Sequence, residues 1–193
     1  MNRVALPTSF EQFRKHAHRW QSCKACSLHE TRCRVVIARG TIPCDVLFIG
    51  QAPGQNEDII GQPFVGPAGK QLDRIVEESL GGDPNVRIAF TNVVACFPTT
   101  DGQEREPDHD EIQACRPRLE EFIGIASPRL IVAVGTVARK ALEQGYRASP
   151  KLPAGVKLID VIHPAAIFRA PWVQRRLMEQ RAAVQIRKAV ESL

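Results

Sequence analysis

No apolar run in this 193-residue chain approaches the roughly 20 residues needed to cross a bilayer, so no membrane association is expected. The opening residues, MNRVALPTSFEQF, lack the apolar core of a secretory signal, and a cytoplasmic location is expected. No internal repeat or low-complexity segment occurs, which excludes solenoids and arrays. The one conspicuous glycine turn, GQAPG at 50–54, is neither a Walker loop nor G-x-G-x-x-G. A nucleoside triphosphate or a dinucleotide is therefore not supported.

What remains has the make-up of a globular protein, 44% apolar and 24% charged, with a length that suits one domain over 1–193. The net charge of +5 hints only mildly at a polyanionic partner, but its placement is uneven. Arg169, Arg175, Arg176, Arg181, Arg187 and Lys188 crowd the C-terminal quarter, and Arg14, Lys15, Arg19, Lys24, Arg32, Arg34 and Arg39 crowd the beginning. A solvated face on two helices explains the same pattern. Six cysteines in a chain expected to be cytoplasmic point to a metal or redox role before disulfides. Cys23 and Cys26 form a C-x-x-C clip, while Cys96 and Cys115 are distant singles followed closely by proline. A clip plus two singles supplies the four thiolates of one tetrahedral site, and spacing alone does not separate zinc from iron–sulfur.

Periodicity gives an alternating β-then-α order. A helix is expected at 9–21, with Thr8 and Glu11 spaced as a capping box. Short apolar runs at 45–50, 86–94, 129–135 and 156–162 read as buried strands. Helical patterns follow at 67–80, 109–126 (with Pro117 as an expected kink or break), 136–144 and 171–192. Residues 98–108 read as a polar loop. This order implies a parallel sheet covered on both faces, with ligands beyond the carboxyl ends of its strands. Three unusual segments sit at those ends: GQAPGQNED, TNVVACFP and HPAAIFRAP. In the first, backbone N–H groups can face a ligand closely beside Glu57 and Asp58, although a tight turn with a surface acid pair has the same spelling. His163 suits a hydrogen-bond donor, Asn92 an amide that reads a base edge, and Phe64 either core or a stacking platform.

Taken together and in this order, CKAC, LFIGQAPGQNEDIIGQPFVGPAGKQLD, TNVVACFP, EIQACRPRL, LIVAVG and VIHPAAIFRAP resemble the uracil-DNA glycosylase superfamily, most closely the iron–sulfur-containing family 4 enzymes. The resemblance covers about residues 20 to 180. It implies a three-layer α/β/α sandwich around a four-stranded parallel sheet of order 2-1-3-4. It also implies a 4Fe–4S cluster on Cys23, Cys26, Cys96 and Cys115, leaving Cys33 and Cys44 as free thiols. DNA is the implied partner of a monomer, with the target base flipped out or taken from a single strand. Gly50, Gln51, Ala52, Pro53 and Gly54 would line the base pocket, Phe64 would stack on the base and Asn92 would read its edge. His163 would bond the uracil O2 as negative charge develops, and Glu57, with Asp58, would hold the attacking water. Ile167, Phe168 and Arg169 would fill the gap left in the DNA.

The chain departs from the family pattern at one position that matters. Family 4 typically carries glutamate in GEAPG, and this chain has Gln51, a neutral amide beside the sugar. Catalysis is therefore expected to lean on Glu57. The alternative is a DNA- or base-binding member with lost or altered catalysis, or one that takes a base other than uracil. No lysine occupies the matched catalytic positions, so hydrolysis to an abasic site without strand cleavage is expected. The related branch that crosslinks through a histidine loop carries KRRIH where this chain has DGQERE, and His109 reads as a surface residue.

Overall fold

The computed structural model describes residues 8–143 and 150–193. The chain enters through α1 (Ser9–Trp20), a short 3-10 turn (Ser27–His29), β1 (Arg39–Gly40), β2 (Val46–Gly50), α2 (Gln55–Ile60) and α3 (Pro67–Leu80). Next come β3 (Ile88–Asn92), a hairpin of β4 (Thr99–Thr100) and β5 (Gln103–Glu104), α4 (His109–Ala126), β6 (Leu130–Val134) and α5 (Thr136–Leu142). β7 (Lys157–Val161), α6 (Pro164–Arg169) and α7 (Trp172–Glu191) complete it. The last residue of the helix expected at 136–144 lies outside the described residues.

The sheet order is β1-β3-β2-β6-β7, with β3, β2, β6 and β7 mutually parallel. These four are the expected strands in the expected order. β1 adds a two-residue antiparallel edge on β3, Arg39 opposite Phe90 and Gly40 opposite Ala89. Alternation along each strand feeds two cores. Leu47, Ile49, Ile131 and Ala133 pack with Leu119, Phe122 and Ile123 of α4 and Ala138 of α5. Val46, Phe48, Val132 and Val134 pack with Leu72 and Ile75 of α3, Ile167 of α6 and Ile186 of α7. That is the three-layer α/β/α sandwich, with both sheet faces dry.

Local chemistry sets the helix ends. The Thr8 hydroxyl accepts from the Glu11 N–H at 3.3 Å while the Glu11 carboxylate accepts from the Thr8 N–H at 3.0 Å, closing the capping box of α1. α4 starts with the same reciprocal pair, Asp108 and Glu111, and runs through Pro117 without ending there. The polar stretch 98–108 is ordered: Asp101 and Gly102 both take positive φ, the requirement of a two-residue hairpin turn. Arg105 then clamps this hairpin to α4 through two bonds to the Glu111 carboxylate, at 2.8 and 2.6 Å.

α1 docks on α4 through a buried histidine. His16 is fully enclosed against Phe122, with Nδ1 3.4 Å from Glu121 but neither ring nitrogen in hydrogen-bond geometry. Burial pushes its pKa down to about 4, against the opposing pull of Glu121. The unfolded chain binds the proton near pH 6.5, so it gains protons first as the pH falls. Stability is therefore expected to drop between pH 6.5 and about 4, by up to ~3 kcal/mol from this group. Urea unfolding at pH 7 and pH 4.5 checks this: His16→Leu should flatten the pH dependence, and an unchanged slope would contradict it.

Candidate active site

The carboxyl ends of β2, β3 and β7 open onto a cavity of about 450 Å³, within the ~300–1,000 Å³ range of small-molecule sites. Gln51, Ala52, Gly54, Glu57, Phe64, Asn92, His163 and Phe168 all contribute to its wall. Gly50 and Pro53 do not line the cavity, but Gly50 lets two of its wall residues approach by having no side chain: a Cβ there would lie 2.4 Å from Asn92 Oδ1 and 2.5 Å from the Phe64 ring. Pro53 is buried in the same turn. Gly50→Ala is thus expected to push Phe64 and Asn92 out of register, costing ~1–3 kcal/mol of stability and raising KM for a base-bearing substrate. Thermal unfolding and steady-state kinetics together check it; wild-type KM would contradict the close fit.

The two adjacent acids do different things. Glu57 stands at the third position of α2, and its Oε2 accepts from the Gly54 N–H at 3.2 Å. Its Oε1 accepts from the N–H groups of Val65 and Gly66, at 2.9 and 2.7 Å. One carboxylate thus closes the whole loop from Gly54 to Gly66, and only Oε2 keeps a lone pair for a further donor. Asp58 is not in the cavity wall. Its oxygens accept from the backbone N–H groups of Cys33 and Arg34, at 2.9 and 3.2 Å, tying α2 to the N-terminal cysteine segment. Of the two acids expected to act together, only Glu57 lines the cavity.

His163 caps α6, with Pro164 at the first helical position. Its Nδ1 accepts from the Ala165 N–H at 3.2 Å, so in the neutral ring the proton sits on Nε2. Burial, assisted by the charge of Arg169, lowers the imidazole pKa and favours that neutral form. Gly135, at φ 94°, lets the β6 turn pass the ring: a Cβ there would be 2.9 Å from the His163 Cβ. Asn92 ends β3, almost fully buried, and its side-chain amide makes no hydrogen bond among the described residues. It lines the cavity instead.

Phe64 carries a left-handed backbone, φ 57°, uncommon for an aromatic and a form of strain that collects at ligand clamps. Arg39, which sequence reasoning counted only among the basic residues, holds it there. The guanidinium donates to the carbonyls of Pro63 and Phe64, at 2.7 and 3.3 Å, and stacks 3.9 Å above the Phe90 ring. The three residues expected to enter DNA separate in the structure. Phe168 is exposed at the cavity rim and Arg169 is exposed beside it, but Ile167 is 1% exposed and belongs to the core. The expected wedge loop is the helix α6, which turns Ile167 inward. Glu104 and Arg105, from the hairpin, reach the cavity unannounced by the sequence reading.

Cys23, Cys26, Cys96 and Cys115 line one recess on the α1–α4 side, with Arg32 and Arg118. Arg32 donates to the Cys96 Sγ at 3.6 Å and to the Cys23 carbonyl at 2.6 Å. Burial pushes the Cys96 thiol up to about 12 and also raises Cys26. Among the described residues no three His, Cys, Asp or Glu side chains are arranged around a single ion. Cys44 is buried elsewhere, its thiol pushed up to about 12, and Cys33 is exposed.

A parallel α/β/α sandwich thus carries, at the strands' carboxyl edge, a cavity walled by an aromatic ring, a side-chain amide and a histidine, the position where sheets of this kind hold small-molecule sites. The comparisons make that class specific. The model of the Uracil DNA glycosylase superfamily matches residues 37–185, and the chain belongs to that superfamily. It is 41% identical over 187 residues to the type-4 uracil-DNA glycosylase of Saccharolobus solfataricus, covering 90% of this chain and 82% of that protein. The type-4 enzyme of Pyrobaculum aerophilum is 38% identical over 168 residues, 78% of this chain and 82% of that one. A third, from Sulfurisphaera tokodaii, is 42% identical over 119 residues, 62% of this chain but only 52% of its own length.

Proposed function

We propose that this protein is a DNA glycosylase that hydrolyses the N-glycosidic bond of uracil and leaves an abasic site, in DNA repair. The observation that carries the reading is the conjunction of family membership with the open Asn92 amide and neutral His163 on one cavity. Uracil would enter against Phe64, with its Watson–Crick edge on Asn92. As the bond from C1′ to N1 breaks, the electron pair passes to the base. His163 Nε2–H then donates to O2, where negative charge grows, at no cost of deprotonating an imidazolium. The Glu57 carboxylate faces the cavity and offsets positive charge on the sugar. Its remaining lone pair on Oε2 accepts a hydrogen bond from a water whose oxygen adds to C1′; the proton that this water loses passes to the carboxylate and from there, through solvent, to the departed uracil anion. Gln51, also in the wall, supplies an amide rather than a charge there.

The four cysteines of the recess fit a 4Fe–4S cluster. Cys23, Cys26, Cys96 and Cys115 would hold it as thiolates, joining the N-terminal clip to β3's exit and to α4. When bound, the cluster supplies anchorage for these segments, and the chemistry above takes place in the other cavity. Among the described residues no lysine lines the active cavity, which accords with simple hydrolysis and no Schiff base. No helix among the described residues is long and apolar enough to cross a membrane. We also propose a monomer acting in the cytoplasm.

The test is release of free base from labelled DNA with a single uracil, alone and paired with A or G. Free uracil and a backbone that breaks only after alkali are expected. An intact substrate would contradict the reading, and breakage before alkali would contradict the hydrolytic mechanism.

A further inference from the structure

Arg118 is 1% exposed, yet among the described residues it has no carboxylate partner within 4.0 Å. Its hydrogen bonds go to neutral acceptors: Nη1 to the Thr91 hydroxyl at 3.0 Å, and Nη2 to the carbonyls of Asn92 and Val93 at 2.6 and 2.8 Å. Its Nε is buried with no partner at all. Burying an unpaired cation costs several kcal/mol, and three neutral acceptors do not offset it. Glu121, one turn further along α4, is already engaged by Arg19 and Trp20. Among the described residues, Arg118 also forms the wall of the cysteine recess with Cys23, Cys26, Cys96 and Cys115, whose thiolates can hold negative charge.

We propose that Arg118 is a positioning residue that couples the two sites. Its charge is balanced by the anionic thiolate-ligated group the four cysteines hold, and its fork clamps the end of β3, from which Asn92 projects into the base cavity. This rests on the cluster reading above. Arginine suits both duties: it stays charged when buried, and its planar fork spans Thr91, Asn92 and Val93 at once. The recess thereby stabilises the placement of a base-reading side chain that it does not touch.

The experiment compares full-length wild type, Arg118→Met and Arg118→Lys, each loaded with iron and sulfide. Three quantities are read: iron content, the reduction potential of the bound cluster, and KM against kcat on single-uracil DNA. A nearby cation favours the more negative reduced cluster, so Arg118→Met is expected to shift the potential to more negative values, with Arg118→Lys returning most of the shift. Both variants should raise KM severalfold, because neither side chain reaches all three acceptors. Loss of iron from Arg118→Met alone, with Arg118→Lys loaded, also supports the charge pairing. An unchanged potential in Arg118→Met, or iron lost equally from both variants, overturns the proposal with the cluster reading intact. Wild-type KM in both variants overturns the clamp. Wild type that takes up no iron overturns the cluster reading, and this inference with it.

Discussion

His163→Ala is expected to lower kcat on uracil DNA by ~10²–10³, with KM changed far less, because the ring's donor serves charge that exists only as the bond breaks. The size follows from losing one donor aimed at a developing oxyanion, roughly 2.7–4 kcal/mol. The pH profile of the wild type gives a second check. The pKa of His163 is lowered, so at pH 6.5, where a free imidazole is half charged, this ring is mainly neutral. The midpoint of its titration is therefore displaced below pH 6.5. Ionisation of His163 seen near pH 6.5 or above, by NMR, would contradict the buried neutral donor. Folding should survive the change, since the ring's one internal bond is to the Ala165 N–H in a six-residue helix.

Glu57→Ala is expected to do more damage of a different kind. Three backbone N–H groups, of Gly54, Val65 and Gly66, lose their only side-chain acceptor at once. Leaving such donors unmet costs ~1–3 kcal/mol each where water cannot enter, so a net loss of about 2–4 kcal/mol is expected after relaxation. Excision should fall by at least ~10², since the loop also carries Phe64 and the carboxylate itself lines the cavity. Denaturant unfolding read beside kinetics separates the two effects. The neighbouring acid provides the control: Asp58→Ala frees the Cys33–Arg34 backbone and should destabilise the protein while sparing most of the activity. Equal kinetic losses from both substitutions would contradict the division of labour between the two acids.

That division was not legible in the sequence, and the reason is physical. The partners of Glu57 lie eight and nine residues onward, across a turn, and no spacing rule reports where a carboxylate points. The central strands were legible because β2, β3 and β6 bury both faces and read as short apolar runs. α3 and α4 were legible to the residue, α3 through the apolar face of Leu72, Ile75, Val76 and Leu80, while the Asp108–Glu111 capping pair that starts α4 was missed. The six-residue helices α2 and α6 are too short to show a period, so they read as loops and Ile167 was assigned to the wrong surface. The β4–β5 hairpin carried its signal openly in Asp101-Gly102, but flanking strands of two residues offered no alternation to support it. Arg39 and Arg118 became visible only in three dimensions, because both act on backbone carbonyls 24 to 26 residues away.

The arrangement explains the constrained turn after β2. Gly50 permits Asn92 and Phe64 to close on one another, Glu57 staples the loop, and Arg39 holds the strained Phe64 backbone. The helices, caps and ion pairs around it serve to keep a cavity of fixed shape where the sheet ends.

The measurement that bears most directly on this pocket is an NMR titration of the protein, with labelled histidine and asparagine, against DNA carrying one non-hydrolysable uridine analogue. The account predicts that the Asn92 side-chain amide and the His163 Nε2–H both shift on binding, with His163 remaining neutral, and that thymidine DNA leaves both unmoved. Binding of the uracil analogue that leaves Asn92 and His163 unshifted would contradict it.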